Sequence, residues 1–318
     1  MKKIVGTLII LFLVLLIVKG WFGSQLTPVS SDTTTKVFVI AKGENFSQVA
    51  DNLEKQKLLR SANAFKIYAK QNGLDSKIQA GSFKISPSFS AQEVAKIITN
   101  QPNDAWVTLL EGWRVEEMAQ KLNKTLGVDQ KEFTKLAKEG YMFPDTYLFP
   151  KEYTLKQITD RMRANFEDKY STDLRTKIKA VGLTEDQGVI LASIVEREAR
   201  SDEARKMVAS ILLKRFKIGM GLNADSTIQY ALGFQSQENN WWKRHLSLDD
   251  LQVKSPFNTY LHAGFPPTPI CNPSLSSLKA VAAADPSTLY LYYYHDSKGN
   301  SYYGKTLEEH NQNVASHP

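Results

Sequence analysis

The N-terminus constrains this chain more than any other segment. Residues 4–18 are apolar apart from Gly6 and Thr7, and the run extends through Lys19 to Trp21 and Phe22. As a helix it covers roughly 28 Å, enough to span a hydrocarbon core. Lys2 and Lys3 precede it, so the positive-inside rule keeps the N-terminus in the cytoplasm and sends everything after Phe22 outside. Lys19 can snorkel, and Trp21 and Phe22 suit the interface. A cleaved signal peptide is the competing reading, but Lys19-Gly20-Trp21-Phe22 puts bulky and charged groups where a cleavage site needs small ones. The expectation is a single-pass anchor over 1–22 and a linker over 23–36, polar and without periodicity from Thr27 onward.

The remainder of the 318 residues, at 42% hydrophobic and 23% charged, can bury cores for about two domains. Cys271 is the only cysteine, which excludes an intramolecular disulfide and a cysteine metal cluster. The five histidines show no HExxH or paired-ligand spacing, so neither a metal nor a cofactor is expected. The formal charge of +7 reads as a solvated basic surface, with anionic lipid or cell-wall polymer as the other reading and no nucleic acid.

A strand, Gly turn and helix occur at 37–53, and the unit recurs. Gly43, Phe46, Val49, Ala50 and Leu53 match Gly112, Val115, Met118, Ala119 and Leu122, which suggests a repeated supersecondary unit. A more degenerate copy starts at Phe89-Ser90, followed by Val94, Ala95 and Ile98. Two or three copies are too few for a solenoid, so a compact α+β domain is expected over 37–138. The unit resembles the LysM type of glycan-binding module; a spacer or docking domain needs the same apolar positions.

The second region, 139–318, carries the chemistry. Thr184 and Gln187 form a capping-box signature, predicting a helix over 185–200. At 100° per residue Leu191, Ile194, Val195 and Glu198 share one apolar stripe, while Glu196 points almost opposite, beside Ser193 and Arg200. Burial would raise the Glu198 pKa, as a general acid requires. Glu196 is expected to form an ordinary surface pair with Arg200. Taken alone, the pattern also fits a structural Glu198 tied to an arginine or to backbone amides.

Several motifs occur in order: Phe143-Pro144-Asp145-Thr146-Tyr147, Leu191-Ala192-Ser193-Ile194-Val195-Glu196-Arg197-Glu198, Val208-Ala209-Ser210 with Arg215, Ile218-Gly219-Met220, LNADST at 222–227, Ser255-Pro256-Phe257-Asn258-Thr259-Tyr260, Gly264-Phe265-Pro266-Pro267 with Pro269-Ile270, and Asn272-Pro273. The set resembles the endolytic murein transglycosylase (YceG-like) family over nearly the whole chain. That resemblance implies a mixed α/β catalytic domain with the acid on a helix, and it maps the catalytic residue, the second glutamate of E-x-E, onto Glu198. It implies a lytic transglycosylase that cuts the MurNAc-GlcNAc β-1,4 bond of nascent peptidoglycan with 1,6-anhydro-MurNAc formation. It also implies work beside peptidoglycan synthases and penicillin-binding proteins. Family members usually carry a small polar residue where this chain has Ala199.

The surrounding residues keep two readings each. Asp225 caps a helix over 226–232 or binds sugar, with Ser226 beside it. Asn258 and Tyr260, on a proline-stiffened loop over 255–273, are candidates for sugar hydrogen bonds. Trp241 and its neighbour Trp242 stack on pyranose rings or pack in a core. Asp202 and Glu203, after Ser201, read as helix-start residues, and 290–303 reads as a structural hairpin. A lysozyme-type muramidase, needing a second carboxylate near Glu198, and a non-enzymatic wall-binding scaffold are the alternatives.

Overall fold

The computed structural model describes residues 2–100, 102–151 and 153–317, with side chains from Ile10 onward in the first helix. It is a mixed α+β chain with small two-stranded sheets. The chain divides into two compact units: Met1–Val107 with Tyr147–Glu152, and Thr108–Thr146 with Tyr153–Pro318.

The first unit opens with α1 (Lys2–Gln25). Among the described residues no helix is long and apolar enough to cross a membrane; positions 4–9 of the apolar run have no described side chains. There follow β1 (Lys36–Ile40), α2 (Phe46–Lys55), α3 (Ala62–Gln71), β2 (Gly81–Ile85), α4 (Ala91–Thr99), β3 (Asp104–Thr108) and β4 (Thr146–Pro150). β1 pairs antiparallel with β2, Phe38 lying opposite Phe83. Asn45 with Gln48 and Ser90 with Glu93 form capping boxes that start α2 and α4. Both helices bury the Val-Ala stripe read from the sequence, Val49-Ala50-Leu53 and Val94-Ala95-Ile98, against Phe38, Phe65 and Phe83. Each fully buried Val, Leu, Ile or Phe among them contributes roughly 1.5–3 kcal/mol, the alanine methyls about 0.8 kcal/mol.

The second unit holds α5 (Val115–Leu126), α6 (Gln130–Leu136), α7 (Leu155–Lys169), α8 (Thr172–Ala180), α9 (Glu185–Glu198), α10 (Asp202–Lys217), α11 (Asp225–Leu232), α12 (Leu275–Ala282), β5 (Tyr292–His295), β6 (Ser301–Gly304) and α13 (Leu307–Ser316). The repeat is therefore structural but is shared out. Gly43 and Gly112 both turn the chain at positive φ, +86° and +72°, where glycine carries no Cβ penalty. Yet α5 packs with α6, and residues 108–138, grouped by sequence with the N-terminal domain, belong to the second compact unit.

α9 is the axis of this unit. Eight consecutive residues, Gly188 to Val195, are buried, because α8, α10, α11 and α12 all pack on it. A helix apolar all round is a central helix rather than a one-sided one. At Gly188 a Cβ would lie 2.6 Å from Ile178 Cγ2, so the missing side chain is what lets α8 approach. The helix ends at Glu198, two residues before the expected Arg200, with Ala199 at the C-cap in extended conformation. Ser201 then caps α10, so Asp202 and Glu203 sit in its first turn as read.

Candidate active site

Glu198 is the last residue of α9, at the negative end of a helix dipole, where a carboxylate is disfavoured. Its side chain meets the opposite kind of helix end. Ser226, in the first turn of α11, donates to Oε1 from its backbone N–H at 3.1 Å and from its hydroxyl at 2.6 Å. On the other side the Tyr293 hydroxyl, from β5, donates to Oε2 at 3.2 Å. Burial pushes the Glu198 carboxyl above its ordinary range; the Ser226 hydroxyl and amide and the Tyr293 hydroxyl pull it back, and the charge of Asp225 adds to the rise. A carboxyl whose charged form is penalised by burial yet still hydrogen-bonded is the kind of group that general acid/base catalysis uses.

Glu198 opens onto a pocket of about 480 Å3, lined also by Arg215, Asn223, Asp225, Tyr260, Tyr292, Tyr293, His295 and His310. Burial lowers the pKa of both imidazoles, which favours their neutral forms. Arg215 braces both walls. Its Nη1 donates to Leu222 O at 2.6 Å, ahead of Ser226, and its Nε to Leu291 O at 2.7 Å, ahead of Tyr293.

Of the residues expected around Glu198, three are there. Ser226 is buried and bonded to it. Asp225 lines the pocket but does not cap α11: the N-cap position is Ala224, and Asp225 accepts from the Tyr260 hydroxyl at 2.6 Å. Ala224 N is satisfied instead by Thr259 Oγ1 at 3.1 Å. Tyr260 lies on the pocket as expected. Asn258 does not: it is fully buried, giving Nδ2 to Leu251 O and Val253 O and taking the amides of Tyr260 and Leu261 on Oδ1. Every polar atom of its amide is spent on shaping the loop. Trp241 is also elsewhere, packed on Phe234 with Arg114 4.8 Å from its ring.

Sequence reasoning missed Tyr293, because 290–303 reads as an ordinary aromatic hairpin. The hairpin exists, with Tyr293 opposite Tyr303. Only its position shows that it carries half of the carboxyl's environment, and no local signal marks that.

Two other features compete for attention. A larger cavity, about 730 Å3, lies along α8 and α12. It is lined by Leu174 and Leu275 together with Lys169, Asp173 and Lys279, and Glu198 is not among its lining residues. Glu139 is a buried carboxyl pushed up to about 8, chiefly by burial and then by the Glu116 charge. It is not among the residues lining the Glu198 pocket. α5 has no side-chain cap at Arg114, and Glu139 supplies the acceptor for Val115 N, with Asn272 Nδ2 at 2.9 Å. Its role is structural and its pH signature follows. The folded state holds this proton up to about pH 8 while the ordinary value is 4.5, so the folded state binds more protons between them and stability falls as pH rises through that window. Glu139→Gln is expected to flatten the fall, seen as a smaller decline in Tm from pH 5 to 8 than in the parent chain; an unchanged slope would contradict the assignment.

A profile of the YceG-like family matches residues 38–316. The chain is 28% identical to the endolytic murein transglycosylase of Streptococcus pneumoniae serotype 2 (strain D39), over 97% of this chain and 64% of that protein. It therefore spans about two thirds or less of the length of that relative. It is 29% identical to the endolytic murein transglycosylase of Bacillus subtilis (strain 168), over 91% and 87%. The crystal structure of a yceG-like protein from Listeria monocytogenes superposes with a TM-score of 0.61 at 26% identity, covering 88% of this chain and 98% of that one.

Proposed function

The chain belongs to the YceG-like family, and from that premise we propose that it is an endolytic peptidoglycan lytic transglycosylase with Glu198 as its acid and base. The observation that carries this reading is a desolvated carboxyl, held at its two oxygens, at the wall of an open pocket. In the acid form Glu198 gives its proton to the oxygen leaving C1 of N-acetylmuramic acid, and the C1–O bond breaks. The C6 hydroxyl oxygen of the same sugar then bonds to C1, and its proton returns to Glu198. One product ends in a 1,6-anhydro ring and the other in a free hydroxyl, with no water consumed.

Asp225 is the one observation favouring a second reading, since it is the other carboxylate on the pocket wall. A muramidase would use such a partner and consume water. Incubating the protein with uncrosslinked glycan strands and weighing the products decides between them: ends lighter by one water are expected, and reducing ends would overturn the transglycosylase.

The single-pass anchor and extracytoplasmic placement rest on the apolar run behind Lys2 and Lys3. The exposed side chains of residues 10–18 are consistent with it, since a continuous apolar surface of this kind fits a lipid environment. In the same reading the first unit's βα repeats make LysM-like contacts with glycan, and peptidoglycan synthases deliver the strands.

A further inference from the structure

We propose that the two oxygens of Glu198 have separate tasks: Oε1 is a fixed anchor, Oε2 alone gives and regains the proton, and Tyr293 is the positioning residue that holds Oε2 in both states. This rests on the acid/base reading of Glu198 and names the atom that performs it.

The argument begins with what Ser226 can and cannot do. Its backbone N–H, 3.1 Å from Oε1, has no lone pair to offer and can only donate. A protonated Oε1 would face that donor with the poorer accepting oxygen of a carboxylic acid. The Ser226 hydroxyl, 2.6 Å from the same oxygen, donates to the anion but can rotate as any hydroxyl does, so it is the backbone N–H that fixes the pattern. Oε1 thus remains an acceptor whether Glu198 is ionised or neutral, and the proton belongs on Oε2.

Tyr293 is suited to that oxygen because its group can reverse. A phenol hydroxyl donates to a carboxylate and, by turning, accepts from a carboxylic acid. Among the described residues it is the only group hydrogen-bonded to Oε2. The other titratable or charged groups on the pocket are Asp225 on α11, Tyr260 on the proline-rich loop, Arg215 on α10, Tyr292, Tyr294 and His295 on β5, and His310 on α13. Tyr260 is committed to Asp225. Arg215 is committed to Leu222 O and Leu291 O, so it holds the segments leading to Ser226 and Tyr293 rather than the carboxyl. The consequence for chemistry is spatial: the oxygen that leaves C1 and the C6 hydroxyl must each reach Oε2 in turn, because Oε1 is never free.

A site-resolved titration tests this without any substrate. The side-chain carboxyl 13C resonance of Glu198, identified by its absence in Glu198→Gln, would be followed against pH in the full chain and in Tyr293→Phe. The phenol bonds both forms, but its charge-assisted bond to the anion is the stronger, so its loss is expected to raise the midpoint by up to about one pH unit, and the alkaline limb of glycan cleavage should move with it. A folded Tyr293→Phe with an unmoved or lowered midpoint would overturn the proposal, even if it were slow. If that variant does not fold, 3-fluorotyrosine at 293 keeps the shape and donates more strongly, so the midpoint should fall; no movement there would be equally fatal. A shift in a protein that never cleaves glycan would sink the transglycosylase reading alone, whereas cleavage without a shift would sink this one.

Discussion

Glu198→Gln is expected to abolish glycan cleavage while leaving the fold intact. Glutamine keeps an acceptor for the Ser226 N–H and hydroxyl and places an amide opposite the Tyr293 hydroxyl, so the geometry survives. It can neither give nor take the proton, and general acid/base catalysis contributes about 10²- to 10⁴-fold. The stability sign follows from the raised carboxyl pKa. A carboxyl whose folded value lies above its unfolded value loses stability for the native state as pH rises through the interval between them. The amide does not titrate, so at neutral pH the variant should unfold at the parent temperature or above it. Anhydro-muropeptide release and thermal unfolding, measured together, check both halves; cleavage at the parent rate would remove Glu198 from the mechanism.

Glu196→Gln, chemically identical and two residues away, is expected to damage the fold. The surface pair with Arg200 does not exist, because α9 stops at Glu198 and Arg200 lies outside it. The Glu196 side chain is only 5% exposed. Its Oε1 takes Arg205 Nη2 at 3.0 Å, and its Oε2 takes Ser274 N at 2.9 Å, the Ser274 hydroxyl and the Ser277 hydroxyl at 2.7 Å. The carboxylate therefore sits at the N-terminus of α12, where a negative charge is favoured, and neutralises an arginine that is itself 13% exposed. Removing one partner of a buried pair costs about 3–5 kcal/mol, which at about 2–4 °C per kcal/mol is a large drop in Tm. Below the new Tm the variant should still cut glycan. A loss under about 1 kcal/mol would mean that the pair is solvated after all.

The contrast between these two glutamates shows where reading a sequence stops. Capping boxes, Gly turns and apolar periodicity predicted α2, α4 and α9 because those signals are local: a cap and the amide it satisfies lie three residues apart. Glu198 could be singled out because one helical turn relates it to Val195 and Ile194. The same projection placed Glu196 in solvent because it allowed α9 only one buried face. The run from Gly188 to Val195, with Ser193 its only polar side chain, already hinted at burial on every side.

What the sequence determined by itself is therefore the βα repeat, the existence of α9 and the apolar stripe that carries Glu198, each set by residues close together along the chain, together with the order of the family motifs. Which residues surround Glu198 was decided only by tertiary structure. Ser226 and Tyr293 arrive from 28 and 95 residues away, and Ser274 reaches Glu196 from 78. Asn258 was held off the pocket by neighbours within seven residues, Leu251, Val253, Tyr260 and Leu261, through a loop closure that no periodicity marks, and Trp241 packs on Phe234 with the distant Arg114 near its ring. A hydrogen bond acts over about 3 Å, and proximity at that scale between distant segments exists only once the helices have packed.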